Sequence, residues 1–252
     1  MGTDIHLRVQ YRDGDAWAFA ERYVLDEYHE RYPKDYPNPT KPEPWYDERN
    51  YDLFAILADV RNGYGFAGVE TGMGFVPIAE QRGFPDGFGF ESDEFLSDGF
   101  SMGDHSHSWL LASELFDYDW SQVAVKSGLV TAWEYESWRN WNKEHGRGPR
   151  DWCDGVGGLG VVILSEEEMA AKLDAISERT HRNHEGRWWG DRFQAAIKSE
   201  LDSHYTRISW TVMYGTAAGA FYQETMPRLK ALAREKCDGD LTRVRIVYGF
   251  DS

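Results

Sequence analysis

Three stretches of the chain alternate apolar and polar side chains with the two-residue period of a β-strand. They cover residues 5–10, 207–214 and 244–250. Because successive side chains of a strand point to opposite faces, each stretch has one apolar face that is expected to lie on a core. A turn signal at Asp13-Gly14-Asp15, followed by residues 16–23, extends the first stretch into a predicted β-hairpin.

Helical periodicity is clearest between these strands. Apolar side chains recur at helical spacing in residues 50–61, directly after Asn50, a residue typical of N-caps. Ser165 and Glu168 form a capping-box pattern at the start of a helix that we expect to reach about residue 178. Further helices are predicted at 133–142, 190–201 and 217–236. The last range contains Pro227, which must kink the helix or begin a new one.

The order of these elements favours an α+β fold, with a mostly antiparallel or mixed sheet, flanking helices and long irregular loops. No segment has the composition of a linker, so a single domain over residues 1–252 is predicted. It carries a long irregular insertion around residues 63–103, which is rich in Gly, Phe and Asp. Irregular segments of this length in compact domains are usually functional or mobile.

The charge balance argues against several classes of partner. Asp and Glu total 43 against 27 Lys and Arg, a formal net charge of −16. The average field therefore repels phosphate backbones, and duplex nucleic acid is not an expected partner. No apolar stretch reaches the length of a membrane span, and the start of the chain lacks the features of a secretory signal. With only two cysteines, we expect a soluble cytoplasmic protein with reduced thiols.

Histidine and aspartate are concentrated at two places in the first half of the sequence. Asp4 and His6 lie on the first predicted strand, and Asp104, His105 and His107 form a second group. Side chains two residues apart in extended backbone share a face, and these residue types suit a divalent metal such as zinc or manganese. If the two groups converge, they predict one metal site. The alternative is that they lie on a solvated strand face, with the aspartates acting as local caps.

Three residues are candidate contacts for an anionic substrate. Arg61 ends the predicted helix at 50–61, Asn62 follows it, and Arg82 precedes Gly83 in the irregular region. Guanidinium groups hold phosphate or carboxylate through paired hydrogen bonds. The alternative is that the arginines form ordinary ion pairs with some of the surplus carboxylates.

Several segments form a combination that spans nearly the whole chain. They are MGTDIH (1–6), RNYDLFA (49–55), DVRN (59–62), RGFPD (82–86), HSHSWL (105–110) and VRIVYGFD (244–251). Together they resemble an uncharacterised family of phage- and prophage-encoded proteins. The resemblance implies a viral origin and a setting in the cytoplasm of a bacterial host, but no particular reaction. Accessory phage proteins of this size often act against host defence or on host nucleotides, which is an association by context.

Two interpretations of function follow. In the first, a divalent metal activates water to hydrolyse a small phosphorylated or nucleotide-like substrate. His105 and His107 are then the catalytic residues, and Arg61, Arg82 and Asn62 bind the substrate. In the second, the protein is a non-catalytic binding module of the anti-defence type. It sequesters a small host signal in a cleft lined by aromatic side chains and arginines, or it docks on a host protein through its acidic surface.

Overall fold

The computed structural model describes residues 3–86, 88, 105–180 and 191–251. The chain divides into two compact units, each drawn from separate stretches of sequence. Unit 1 comprises Met1–Val60, Val76–Trp120 and Gly215–Ser252, and unit 2 comprises Arg61–Phe75 and Ser121–Tyr214. The expectation of one domain over residues 1–252 stays a prediction.

Nine strands and eight α-helices in the described residues confirm the α+β class. The strands are β1 (Ile5–Asp13), β2 (Ala16–Phe19), β3 (Tyr23–Leu25), β4 (Thr40–Pro42), β5 (His105–Leu111), β6 (Val123–Thr131), β7 (Val162–Leu164), β8 (His204–Met213) and β9 (Val244–Phe250). The helices are α1 (Glu27–Arg31), α2 (Tyr51–Ala58), α3 (Ala112–Asp117), α4 (Ala132–Trp141), α5 (Glu166–Thr180), α6 (Asp191–Leu201), α7 (Tyr214–Ala217) and α8 (Met226–Lys236). Over the described ranges, none of these helices is both long and apolar enough to cross a bilayer.

The main sheet of unit 1 is antiparallel throughout and has the strand order β2-β1-β9-β5. The predicted hairpin forms its first two strands, with Gly14 at φ 60° in the turn. The last strand of the chain, β9, lies between β1 and β5, and all seven of its residues are buried. A separate two-stranded sheet pairs β3 with β4.

One face of β9 packs on helix α2. The Tyr248 hydroxyl donates a hydrogen bond to the Leu57 carbonyl at 2.6 Å, and the Phe54 and Phe250 ring centroids lie 4.9 Å apart. The helix begins where the Asn50 side chain accepts a hydrogen bond from the Leu53 N–H, which confirms the predicted cap. The other face of β9 carries Arg245, which is also buried.

Unit 2 is built on a three-stranded sheet of order β6-β8-β7, antiparallel between β6 and β8 and parallel between β8 and β7. Helices α4, α5 and α6 bury their apolar side chains in one core with β6 and β8. Its large members include Tyr135, Trp138, Met169, Leu173, Ile176, Phe193, Ile197, Ile208 and Trp210. The predicted capping box is confirmed, because Ser165 Oγ accepts from the Glu168 N–H and the Glu168 carboxylate accepts from the Ser165 N–H.

Candidate functional site

The first pair of predicted metal ligands lies at one end of the unit 1 sheet, where β1 meets β9. His6 stands opposite Gly249 in the register, and its Nε2 atom lies 3.8 Å from Oδ2 of Asp251. The other carboxylate oxygen of Asp251 accepts a hydrogen bond from the Asp4 N–H at 2.5 Å. The fold thus supplies an additional carboxylate beside His6, from the opposite end of the chain.

Asp4 forms a bidentate ion pair with the guanidinium group of Arg49. Arg49 donates from Nε to Oδ1 and from Nη2 to Oδ2, each at 2.7 Å. These hydrogen bonds are the main reason why the pKa of the Asp4 carboxyl is lowered, and the charge of Arg49 adds to them. A metal ion at Asp4 would have to share this carboxylate with Arg49 or displace the guanidinium.

Strand β5 brings His105 to the same end of the sheet. His105 and Ile5 both stand opposite Phe250, one on each side of β9. Directly opposed residues share a face of a sheet, and the His105 and Phe250 ring centroids lie 6.2 Å apart. His6 is the next residue along β1 after Ile5, so the register places it on the opposite face from His105.

Both histidines of β5 have local partners. The His105 Nδ1 atom lies 2.9 Å from the Ser106 hydroxyl, and the His107 ring packs on Phe84 with 4.1 Å between centroids. Within the ranges that the structure describes, no three His, Cys, Asp or Glu side chains are grouped as a metal site requires. Asp104 lies outside those ranges. The shared metal site and the catalytic roles of His105 and His107 therefore stay predictions.

Arg82 forms a bidentate ion pair with Glu114. Its Nη1 and Nη2 atoms donate to the two carboxylate oxygens of Glu114 at 2.9 and 2.6 Å. The same carboxylate accepts from the Leu111 N–H at 2.8 Å, at the start of helix α3. Bonding to Arg82 is the largest cause of a lowered pKa for Glu114, and it raises the pKa of Arg82 in return. The guanidinium that was predicted to bind substrate is thus already paired, and its substrate role stays a prediction.

Asn62 and Arg61 shape the loop that follows α2 in the sequence. The Asn62 amide donates to the Phe75 carbonyl at 2.6 Å and accepts from the Phe75 N–H at 2.5 Å. Arg61 has a φ of 52°, and its carbonyl accepts from the Tyr64 N–H. These contacts organise the loop backbone, and the predicted substrate contacts of both residues stay predictions.

Two cavities in unit 1 share a wall, and we call them the paired cavities. Their volumes are about 420 and 530 Å³, within the range of small-molecule sites. The wall that they share is formed by Phe19, Ala20, Glu21, Arg22 and Trp45. The Trp45 Nε1 donates to the Ala20 carbonyl at 2.7 Å, which fixes the indole as part of this wall.

Three charged side chains meet at the paired cavities. The Glu43 Oε2 atom lies 3.1 Å from Arg22 Nε and 3.5 Å from Arg228 Nη2. The Arg228 guanidinium carbon lies 4.8 Å from the centroid of the Trp45 ring, and its Nη1 donates to the Trp45 carbonyl. Its Nε and Nη2 atoms are buried and donate no hydrogen bond to a described residue. In Arg49 the corresponding atoms, Nε and Nη2, donate hydrogen bonds to the two carboxylate oxygens of Asp4.

Arginine and tryptophan also alternate across the second face of the main sheet, in what we call the Arg–Trp ladder. It consists of Arg82, Trp109, Arg245, Trp17 and Arg12. Arg245 is 4% exposed, and its guanidinium carbon lies 4.0 Å from the Trp17 ring centroid. Its Nε donates to the Gln10 side chain at 2.9 Å, while its buried Nη2 bonds to no described residue. Burial, aided by the positive charge of Arg12, lowers the pKa of Arg245 to about 10.

No family model, no curated protein and no solved structure matches the chain. The resemblance to a phage family stays a prediction. No sequence motif marks Arg22, Glu43 or Arg228, the charged side chains at the paired cavities. One signal was available, because Glu43 and Trp45 lie at the end of a proline-rich extended segment, and functional residues are often on such connections.

Proposed function

We propose that the protein is a non-catalytic module that binds a small anionic ligand in the paired cavities. The observation that carries this proposal is the buried Nε–Nη2 edge of Arg228, which donates no hydrogen bond to a described residue. Buried polar groups are rarely left in this state, and the chain has many more carboxylates than basic groups to offer as partners. A bound phosphate or carboxylate would complete Arg228 as Asp4 completes Arg49.

The lining supports a ligand with one anionic group and an apolar or planar part. The larger cavity has the basic residues Arg22, Arg228 and Lys236 against the acidic residues Glu21 and Glu235, a local balance quite unlike the net charge of −16. The shared wall adds the rings of Phe19 and Trp45. A small phosphorylated or nucleotide-like molecule fits this chemistry. Sequestration of such a host signal suits a phage accessory protein.

Calorimetric titration with adenosine 5′-monophosphate and inorganic phosphate tests the proposal. We expect the wild-type protein to bind both probes. Arg228→Gln should weaken binding at least about tenfold, because it removes a guanidinium that can donate two charge-assisted hydrogen bonds to the anion. Arg234→Gln is the matched control, since Arg234 is exposed on the same helix, α8, and lines neither cavity. Recovery of intact nucleotide from the denatured complex distinguishes binding from hydrolysis. The proposal fails if the wild-type protein binds neither probe, or if the two variants behave alike.

We also propose, as a second candidate, the metal-dependent hydrolase. Its specific support is the distance of 3.8 Å between His6 Nε2 and Asp251 Oδ2, since histidine and aspartate are common ligands of divalent metals. Protein purified without chelator should then contain zinc or manganese, and His6→Ala and Asp251→Asn should each lower the metal content. Metal-free wild-type protein without phosphodiesterase activity would count against this candidate.

A further inference from the structure

We infer that Glu43 is a built-in competitor, which occupies the anion position of Arg228 until a ligand displaces it. The inference rests on the proposed binding of anions at Arg228. It makes Glu43 the residue that sets the affinity of the paired cavities and selects the charge of the ligand. A phosphate monoester with two negative charges displaces one carboxylate more readily than another carboxylate does. The expected ligand class is therefore phosphorylated rather than carboxylic.

The contact between Glu43 and Arg228 is longer than the other guanidinium–carboxylate pairs that the structure describes in unit 1. Arg49 holds Asp4 through two hydrogen bonds of 2.7 Å. At Arg228 the shortest carboxylate contact is 3.5 Å, and neither Nε nor Nη2 forms a hydrogen bond to a described residue. Glu43 thus neutralises part of the Arg228 charge without accepting hydrogen bonds from Nε and Nη2. A ligand that accepts from both atoms gains hydrogen bonds that Glu43 does not make.

Glu43 keeps a charged partner when a ligand displaces its carboxylate from Arg228. The Glu43 N–H donates to the Arg22 carbonyl at 2.8 Å, which fixes the backbone independently of Arg228. Its Oε2 atom is buried and accepts no hydrogen bond from a described residue, but it lies 3.1 Å from Arg22 Nε as an ion pair, and the side chains of Glu43 and Arg22 are 30% and 55% exposed. The carboxylate can therefore keep one guanidinium partner and reach water after a ligand has taken Arg228. An exchange of this kind avoids the large cost of an unpaired buried charge.

The test compares dissociation constants for inorganic phosphate and acetate in matched variants. Glu43→Gln should bind phosphate about tenfold more tightly than the wild-type protein, equivalent to about 1.4 kcal/mol, and should show a smaller preference for phosphate over acetate. Glu43→Asp keeps the charge but shortens the side chain, so a smaller gain is expected. Asp47→Asn removes an equal charge from an exposed residue of the same cavity and should gain at most about twofold.

A double variant separates competition from general electrostatics. In an Arg228→Gln background, Glu43→Gln should gain no more than Asp47→Asn, because the contested partner is gone. Equal gains from Glu43→Gln with and without Arg228, or equal gains from Glu43→Gln and Asp47→Asn, would overturn the inference. So would weaker phosphate binding by a Glu43→Gln protein that unfolds at the wild-type temperature. These outcomes presuppose binding by the wild-type protein, whose absence would instead refute the proposed function.

Discussion

Replacing Arg245 and its partner Gln10 together by methionine should cost the protein little, although the two residues are 4% and 2% exposed in the main sheet. Burial and the nearby charge of Arg12 lower the pKa of this guanidinium from its usual value to about 10. A base whose pKa falls on folding holds its proton less tightly in the folded state. The ionised group therefore opposes folding at neutral pH, by roughly 3 kcal/mol at 1.36 kcal/mol per pKa unit.

Two contacts offset this cost. The hydrogen bond from Arg245 Nε to Gln10 contributes about 1.5–3 kcal/mol as a charged hydrogen bond, and stacking on Trp17 about 0.5–2 kcal/mol. Arg245→Met removes the cost and both contacts, but it leaves the Gln10 amide, 2% exposed, without its partner. Removing a cost of roughly 3 kcal/mol together with contacts worth about 2–5 kcal/mol should leave Gln10→Met combined with Arg245→Met between about 1 kcal/mol more stable and about 2 kcal/mol less stable than the wild-type protein. The single variant should be about 1–3 kcal/mol less stable than the double variant, because the buried Gln10 amide loses its partner.

Urea unfolding at pH 7, followed by far-UV circular dichroism, measures these differences. Arg245→Lys is an informative companion, since it keeps the charge but loses the planar group that stacks on Trp17, and it should be the least stable of the three variants. Arg234→Met, at an exposed position of α8, should change stability by no more than about 0.5 kcal/mol. A loss of about 3–5 kcal/mol in both methionine variants would refute the reasoning, because such a loss indicates a charge that the fold does compensate.

Three further outcomes are expected. Glu114→Gln should lower the free energy of unfolding at pH 7 by about 1 kcal/mol, and this difference should vanish at low pH. Because the folded protein lowers the pKa of Glu114, the carboxylate stabilises the fold at pH values above its usual pKa of 4.5, and this contribution is lost as the carboxylate is protonated. Urea midpoints at pH 7 and pH 3 test the difference. Ser165→Ala should cost about 1 kcal/mol, measured in the same way, through loss of the cap on α5. Asn50→Ala should cost more than Ser165→Ala, because its amide caps α2 and also donates to the Ala217 carbonyl at 2.8 Å; equal losses would show that the second contact is weak.

Local sequence signals predicted the secondary structure well where one physical rule dominates. The alternating pattern placed β9 at residues 244–250, which are its bounds in the structure, and the capping box placed the start of α5. The helix expected at 217–236 is interrupted, with a π-helical turn at Phe221–Thr225 before α8, and Pro227 lies in the first turn of α8. Proline lacks the N–H that a helix interior needs, so this break follows from the same rule.

Boundaries set by side chains from elsewhere were harder to predict. Ser113 is of a residue type that is typical of N-caps, but α3 begins at Ala112, and the Glu114 carboxylate accepts from the Leu111 N–H. Arg82, from a different segment, holds that carboxylate in place. A cap that depends on a distant arginine is not visible in the local pattern, whereas the caps at Asn50 and Ser165 use only residues of the same short segment.

The candidate site shows the same limit more strongly. Position along the strand predicted that Asp4 and His6 share a face, but no spacing rule pairs His6 with Asp251 or Arg228 with Glu43, which lie far apart in the sequence. Strand order decides the first pair, because β9 lies beside β1, and the packing of α8 residues at a cavity wall decides the second. Arg228 also shows why charge counts mislead. With 16 surplus negative charges, each arginine is expected to have a carboxylate partner. Arg228 has one in Glu43 at 3.5 Å, yet its buried Nε and Nη2 atoms donate no hydrogen bond to a described residue, and only the three-dimensional structure reveals this.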